Sequence, residues 1–515
     1  MASANEKGGQ KQTAVHESMG HSLNPITSVA AGEVTDKFTA VQGHSPVLRK
    51  NFSTLASLGL GFSITNSWIG YAASFGPNVV FAGPQSAIFG LLVAAVIQFF
   101  ITLGLSEVAS AFPSSGGQYH AVWLIASEKT KRFAAYIVGW CPSLAVPWNL
   151  YLIYLAVILA TAIPISLAHK FEHIVTQFGL GCSILGAAIT FIVLLSMKGE
   201  TRSASEVFGH SAGTSGWNHD TAWVLGICNS LYALVATDAA IHVAEEMLAP
   251  SSQIPFILNT TILIGFVTTF PLIIVMMFTI TDLDAVLSWP LPSLEVYYQA
   301  TGSAAAATAL QLILTICLFT AIFAEWITCS RMVWSFARDN GTPFPQFFAH
   351  VDAKKKIPVR AMYVSMGFCA LYGLLYFASS TAFNPIVTSS IICLNLTYVV
   401  PQAILLFRGR TLLPTRALSL GPFGYFVNGF SLFVVVIVSI LLCFPIGIPV
   451  ATDSMNYTSA VLAGLFIIVL GLWFTIGKNF SGPAVDADNM ESLAAQVYTG
   501  KRKFLGITWK TMKAA

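Results

Sequence analysis

The stretch ATDAAIHVAEEMLAP, residues 236–250, groups ionisable side chains directly after an apolar run. It contains three carboxylates and one imidazole, carried by Asp238, His242, Glu245 and Glu246. Asp238 and His242 are spaced so that both would lie on one face of a helix. Such a set could relay a proton, hold a cation or pair with basic side chains. Which of these it does depends on whether water, protein or lipid surrounds it.

The composition places this set in a membrane protein. Only 10% of the 515 residues are charged and 55% are hydrophobic, with a mean hydropathy of +0.71. Apolar segments recur along nearly the whole chain, and each is long enough as a helix to cross a hydrocarbon core of about 30 Å. We therefore expect an all-α polytopic membrane protein that is embedded in the lipid bilayer and has no nucleic-acid partner.

The apolar segments define the predicted spans, which lie at 52–74, 86–112, 133–168, 173–197, 221–244, 256–281, 303–335, 361–380, 384–407, 425–447 and 456–477. Residues 1–50 are predicted to be a disordered cytoplasmic tail, 51–480 the multi-span domain and 481–515 a second cytoplasmic tail. The eight cysteines all fall inside apolar segments, which is typical of small core residues rather than of disulfides.

The distribution of lysine and arginine predicts the orientation. These residues follow the second, seventh and ninth segments, for example at Lys131, Arg338 and Arg408. The linkers 75–85 and 282–302 contain neither. Because short cytoplasmic loops carry an excess of basic residues, both termini are predicted to be cytoplasmic.

The basic cluster Lys129–Arg132 and the end of the fifth segment are both expected inside, so segments 133–168, 173–197 and 221–244 must together make an even number of crossings. Three single crossings give an odd number, and 133–168 is the segment that could hold two. Its length is too small for two full spans and a turn. A re-entrant piece ending near Pro142 and Pro147, followed by one complete span, satisfies the count. Non-helical backbone at that depth needs protein or water around it. Lys170 should consequently face the cytoplasm.

Three ordered motifs resemble the signature regions of a known family. They are SEVASAFPSSGGQYH, TDAAIHVAEEMLAPSSQIP and SRMVWSFARDNGTPFP. Over about residues 45–480 the chain is similar to fungal amino acid/choline permeases, including those for GABA, within the amino acid–polyamine–organocation superfamily. The resemblance implies an inverted-repeat transporter fold with broken first and sixth helices around the substrate.

The third span departs from that pattern. The resemblance implies a full crossing, yet only YIVGWCPSLAVP stands between Lys131–Arg132 and Trp148. We therefore expect a chain that is short by most of one helix, the third. A genuine deletion, a skipped stretch of coding sequence and an altered but working third helix would each give this pattern.

Small and polar residues interrupt two spans where the resemblance places the breaks, and unwound backbone there can bind substrate. The predicted substrate-binding residues are Asn66, Ser67, Trp68, Gly70, Tyr232, Ala236, Thr237 and Asp238. Trp68, Tyr71 and Tyr232 could hold an ammonium group by cation–π contact, and helix N-termini favour a carboxylate. Asp238 is the candidate for substrate or proton coupling, because an ionisable group is costly at that depth.

Glu245 and Glu246 lie further along, near the predicted cytoplasmic boundary. They are expected to pair with Arg331 or Arg338, so that Glu245, Glu246 and Arg331 form a candidate gate. His242 could relay a proton or serve as a hydrogen-bonded packing residue.

The sequence thus predicts a secondary transporter rather than an enzyme. It would move a small amine-bearing solute such as an amino acid, GABA or choline across the plasma membrane or another cellular membrane by alternating access, with protons as the expected coupling ion. No cofactor and no metal are expected, since His169 and His173 have ligand spacing without a third ligand. A choline or polyamine permease and a non-transporting nutrient sensor on the same scaffold are the alternatives.

Overall fold

The computed structural model describes Leu48 and residues 52–127, 129–139, 155, 157–162, 171–197, 199, 201–209, 213–289, 291–373, 383–414, 416–450 and 455–483. The described residues are largely helical and form no β-strand. The expectation of an all-α fold is confirmed.

The α-helices are α1 Thr54–Thr65, α2 Ser67–Ser74, α3 Gly76–Ala111, α4 Gly117–Ile125, α5 Lys131–Gly139, α6 Glu172–Ser196, α7 Ala204–Phe208, α8 His219–Ser230, α9 Pro250–Thr279, α10 Leu283–Ser288, α11 Pro292–Thr301, α12 Ala304–Arg338, α13 Pro345–Phe348, α14 Val359–Gly373, α15 Phe383–Arg408, α16 Phe423–Leu441 and α17 Thr458–Thr475. Short 3₁₀ segments occupy Leu231–Leu234, Thr237–Glu246, Arg410–Leu412 and Gly477–Asn479.

Eight described elements are long and apolar enough to cross a membrane. They are α3, α6, the composite His219–Glu246, α9, α12, most of α15, α16 and α17. α1 and α2 together form a further, broken crossing, and α14 supplies a shorter apolar helix. The chain is therefore a multi-pass membrane protein, as the composition indicated.

α3 begins earlier than the predicted span at 86–112. It starts at Gly76 and continues through a kink, where Ala82 and Gly83 have non-helical backbone angles and Pro84 follows. Gly83 has a φ of 68°, a conformation that glycine adopts without steric cost. The kink separates one short helical turn from the long apolar helix that the sequence pattern detects.

Two helices are interrupted where the sequence predicted breaks. α1 ends and α2 begins at Asn66, whose φ of 31° and ψ of 55° are left-handed. The second interruption follows α8, where Ala236 has a φ of 65° and a ψ of 30°. Left-handed angles are uncommon outside glycine and end a regular helix. The expectation of broken first and sixth helices is confirmed.

The two broken helices run in opposite directions, as an inverted repeat requires. The start of the first lies beside the end of the second, because the Phe52 amide donates to the Glu246 carbonyl at 3.2 Å and Phe52 forms a bridge with Met247. α12 also terminates there, since Arg331 pairs with Glu246. We call this end of the helix bundle the basic end.

The start of α5 and the start of α6 also lie at the basic end. Arg132, near the start of α5, donates to the carbonyl oxygens of Gly477 and Lys478, and the nearby Ser481 amide donates to the carbonyl of Asp339, directly after α12. Glu172, at the start of α6, pairs with Arg331 of α12 at 2.8 Å. Arg132 and Glu172 therefore both lie at the basic end.

Several predictions lie outside the described residues. They include the proposed turn at Pro142 and Pro147, the orientation of Lys170, and nearly all of both tails. Of the predicted N-terminal tail only Leu48 is described, and it is buried against Trp334 of α12. α5 is the described part of the third span and contains nine residues.

Cysteine labelling tests the return of the chain to the basic end. In a background without native cysteines, single cysteines at Lys129 and Phe171 are expected to react with an impermeant maleimide from one side of the membrane. A cysteine at Asp284, which lies beyond the far end of α9, should react from the other side. All three native side chains are exposed in the fold, so packing within the protein does not block the reaction. Labelling of positions 171 and 284 from the same side would contradict the topology.

Candidate functional site

The two helix breaks lie against each other. The Thr65 hydroxyl, one residue before the first break, donates to the carbonyl oxygen of Ala236 in the second break at 3.2 Å. Gly70 of α2 faces the second broken helix, where an added Cβ would lie 3.6 Å from the Cα of Ala233. The backbone of one interrupted helix therefore approaches the other closely, with no side chain between them at Gly70.

The other predicted residues of the first break turn toward neighbouring helices. The Asn66 side-chain oxygen accepts from Ser183 of α6 at 2.7 Å, and the Trp68 indole donates to the same hydroxyl at 2.9 Å. Ser67 is fully buried and lies against Gly265 of α9. These contacts fix the first break against α6 and α9. Substrate contact by the three side chains stays a prediction.

Tyr71 and Tyr232 differ in accessibility. Tyr71 is buried and its hydroxyl donates to the Ala87 carbonyl while accepting from the side chain of Asn78. The side chain of Tyr232, in the 3₁₀ turn before the second break, is 37% exposed. Trp68 is also buried, so of the three aromatic residues proposed for cation binding only Tyr232 is accessible.

Asp238 lies just after the second break and is hydrogen-bonded on both carboxylate oxygens. Tyr398 of α15 donates to Oδ1 at 2.6 Å, and Gln118 of α4 donates to Oδ2 at 2.8 Å. His242 Nε2 lies 3.4 Å from Oδ2, while its Nδ1 is 3.0 Å from the Ser115 carbonyl. Asp238 thus joins the second broken helix to α15 and to the segment that contains α4.

Thr237, which precedes Asp238, is fully buried, and its hydroxyl lies 3.4 Å from that of Thr102 on α3. Its side chain therefore faces α3. Together with the carboxylate contacts of Asp238, this contact shows that the residues after the second break are held by protein groups on several sides.

The acidic residues at the end of the second broken helix form buried ion pairs. Arg331 of α12 contacts Glu246 and Glu172 at 2.8 Å each, and all three side chains are buried. Arg338, at the end of α12, pairs with Glu245 at 3.0 Å. These pairs tie the second broken helix and α6 to α12 at the basic end. Their action as a gate stays a prediction.

A further cluster of buried ion pairs lies at the same end of the bundle. Glu107, near the end of α3, pairs with Arg410 and with Arg416, the latter at 2.7 Å. Outside the spanning helices, burial raises the pKa of Asp339 to about 7, and the neighbouring Arg338 opposes that shift. The Tyr119 hydroxyl of α4 donates to Asp339 at 3.2 Å.

Sequence reasoning missed three residues of this arrangement. Glu325 lies inside the apolar span 303–335, Tyr398 inside 384–407, and Glu172 at the start of α6. The signal for Glu325 was present, because a lone carboxylate inside a spanning helix is a functional candidate by default. Tyr398 and Glu172 are recognisable only from their contacts. Among the described residues, no group of His, Cys, Asp and Glu has the arrangement of a metal site.

Two oppositely directed helices, broken at the same level and in contact through their breaks, define the class of a membrane transporter that binds its substrate at unwound backbone.

Comparison with known proteins identifies the family. The amino acid permease family model matches residues 133–470, and the chain belongs to this family. The chain is 33% identical to the choline transporter of Saccharomyces cerevisiae over 86% of its own length and 84% of that protein. It is 28% identical to the swainsonine transporter swnT of Arthroderma benhamiae, covering 88% of this chain and 96% of the relative. It is also 28% identical to the 7-keto 8-aminopelargonic acid transporter of S. cerevisiae, covering 82% and 91%. The chain is a transporter, not an enzyme.

Proposed function

We propose that the protein is a secondary transporter that moves a small amine-bearing solute across the plasma membrane by alternating access, with both termini in the cytoplasm. The observation that carries the proposal is the contact between the two helix breaks, where Thr65 donates to the carbonyl of Ala236. Backbone groups freed at such breaks bind substrate and coupling ions in transporters of this architecture. Two relatives are named for choline and 7-keto 8-aminopelargonic acid, which carry an ammonium and an amino group.

Uptake by the full chain in a permease-deficient host tests the proposal. The panel contains radiolabelled neutral and basic amino acids, GABA, choline and spermidine, and we expect saturable uptake of at least one of them. Saturable binding to purified protein without uptake would instead indicate a nutrient sensor. The proposal would be contradicted if every panel member failed both to be taken up and to bind.

We further propose that inward proton flow drives uptake and that Asp238 takes part in coupling. Asp238 is buried within a spanning element and contacts His242, Gln118 and Tyr398. A change in its protonation would therefore alter its hydrogen bonds to these three side chains. With an inward proton gradient, uptake by the unmodified protein should fall as external pH rises.

Asp238→Asn is expected to lower uptake and to flatten this pH dependence, because an amide does not titrate in this range. Uptake is measured between pH 5 and 8, roughly the interval in which imidazole changes charge, with surface expression as the reference. Asp284→Asn removes an exposed carboxylate far from the breaks and serves as the matched control. A normal rate with an unchanged pH profile in Asp238→Asn would reduce Asp238 to a structural residue.

A further inference from the structure

Two side chains near the second break are exposed although both lie in spanning elements. One is Tyr232, in the 3₁₀ turn before the second break, and the other is Glu325, in α12. The two side chains lie within electrostatic range of each other, and Glu325 also lies within electrostatic range of Asp238. A carboxylate inside a spanning helix almost always faces the bundle interior or a water-filled space rather than lipid. Tyr232 and Glu325 therefore line a space inside the bundle, beside the broken helix.

The two carboxylates near this space differ in their hydrogen bonds. Asp238 is buried and accepts from Tyr398 and Gln118 on opposite oxygens. Among the described residues, the hydrogen bond made by Glu325 is a long contact of 3.9 Å from the Cys329 thiol, one turn further along α12. A thiol is a weak donor, so the Glu325 carboxylate keeps most of its capacity to accept hydrogen bonds or to hold a positive charge.

The described groups that would most readily attract a substrate carboxylate are buried or already paired. The first residues after the two breaks, Ser67 and Thr237, are fully buried, so the helix N-termini they begin are covered by protein. The arginines that form ion pairs in the described chain already have carboxylate partners at the basic end; they are Arg331, Arg338, Arg410 and Arg416. Of the described polar and aromatic side chains named here, the exposed ones are the Glu325 carboxylate and the Tyr232 ring.

We infer that Glu325 selects substrates by charge, so that the site takes a small organic monocation with an ammonium group and no carboxylate. This inference rests on the proposed function and specifies its substrate. The ammonium would contact the Tyr232 ring face, where cation–π attraction favours it, and the Glu325 carboxylate would balance its charge. A zwitterion would bring its own carboxylate next to Glu325 and Asp238, and like charges repel at such distances. A polyamine would need more carboxylates than the two near this space.

Choline and glycine betaine form a matched pair for the test, because they share a trimethylammonium group and only betaine carries a carboxylate. In cells expressing the full chain, we expect saturable choline uptake that excess betaine does not inhibit. Glu325→Gln keeps the shape of the side chain and removes its charge. It should raise the apparent KM for choline by roughly 10- to 100-fold, the range expected for losing one charge-assisted contact. Glu325→Asp should retain most of the affinity.

Asp284→Asn is the control for removing one negative charge elsewhere, and its choline uptake should match that of the unmodified protein. Tyr232→Leu and Tyr232→Phe provide a second pair, in which only the leucine variant should lose affinity. This pair decides the question if Glu325→Gln does not reach the membrane. Surface expression is measured for each variant.

An unchanged choline KM in both Glu325→Gln and Tyr232→Leu would overturn the inference. Transport of amino acids, betaine or spermidine in preference to choline would also overturn it, while the proposed transport function would stand. If every panel solute failed both to be taken up and to bind, the inference and the proposed function would both be contradicted.

Discussion

Replacement of Arg331 by methionine is expected to destabilise the protein by about 3–5 kcal/mol, the usual cost of removing one partner from a buried ion pair. The guanidinium is buried between Glu172 and Glu246, which belong to different helices. Without it, two carboxylates would remain close together in a site that water does not reach. We expect reduced surface expression and a lower midpoint of thermal unfolding in detergent.

A matched triple variant separates loss of charge balance from loss of packing. Arg331→Met combined with Glu172→Gln and Glu246→Gln leaves no charge in the cluster, and it should recover most of the lost thermal stability. Replacing a whole buried ion cluster by neutral groups is often close to neutral in free energy. A single Arg331→Met variant as stable as the unmodified protein would show that the cluster does not hold the basic end together.

Replacement of Gly70 by leucine should reduce uptake by roughly a hundredfold or more, as expected when the substrate site is displaced by about 1 Å. A leucine side chain on α2 would enter the space between the two broken helices, where even the first added carbon would touch Ala233. The variant should still reach the membrane, because the change is confined to the contact between the breaks. Uptake kinetics and surface expression are the two measurements.

Gly70→Ala is the control, because a Cβ at 3.6 Å from the Ala233 Cα makes an ordinary van der Waals contact. The alanine variant should retain most of its uptake. Normal uptake kinetics in Gly70→Leu would exclude this crossing of the two helices from the transport site.

Much of the fold could be predicted because the signals are local or additive. Apolar length identified the spans, and small or polar residues marked the interruptions at Asn66 and Ala236. Charge counting required the chain to return between Arg132 and Glu172, and the contacts of these residues place both at the basic end. None of these inferences depends on how a helix is rotated about its axis.

The site was harder to predict because rotation and partner choice decide it. The type of residue at Ser67 and Trp68 fits a binding site, yet their side chains point toward α9 and α6. Sequence spacing allowed Glu245 and Glu246 to pair with either arginine, and only the positions of the helices assign Arg338 to the first and Arg331 to the second. Glu325 was overlooked because its apolar neighbours dominate any average over the segment.

The bridge between Phe52 and Met247 links the first half of one broken helix to the last half of the other. The amide of Phe52 is bonded to the Glu246 carbonyl, and Glu246 is held by the Arg331 guanidinium. A displacement of either half-helix therefore pulls on its partner and on α12 at once. We therefore expect the two half-helices to move together, so that an opening of the basic end would be concerted rather than the independent bending of two helices.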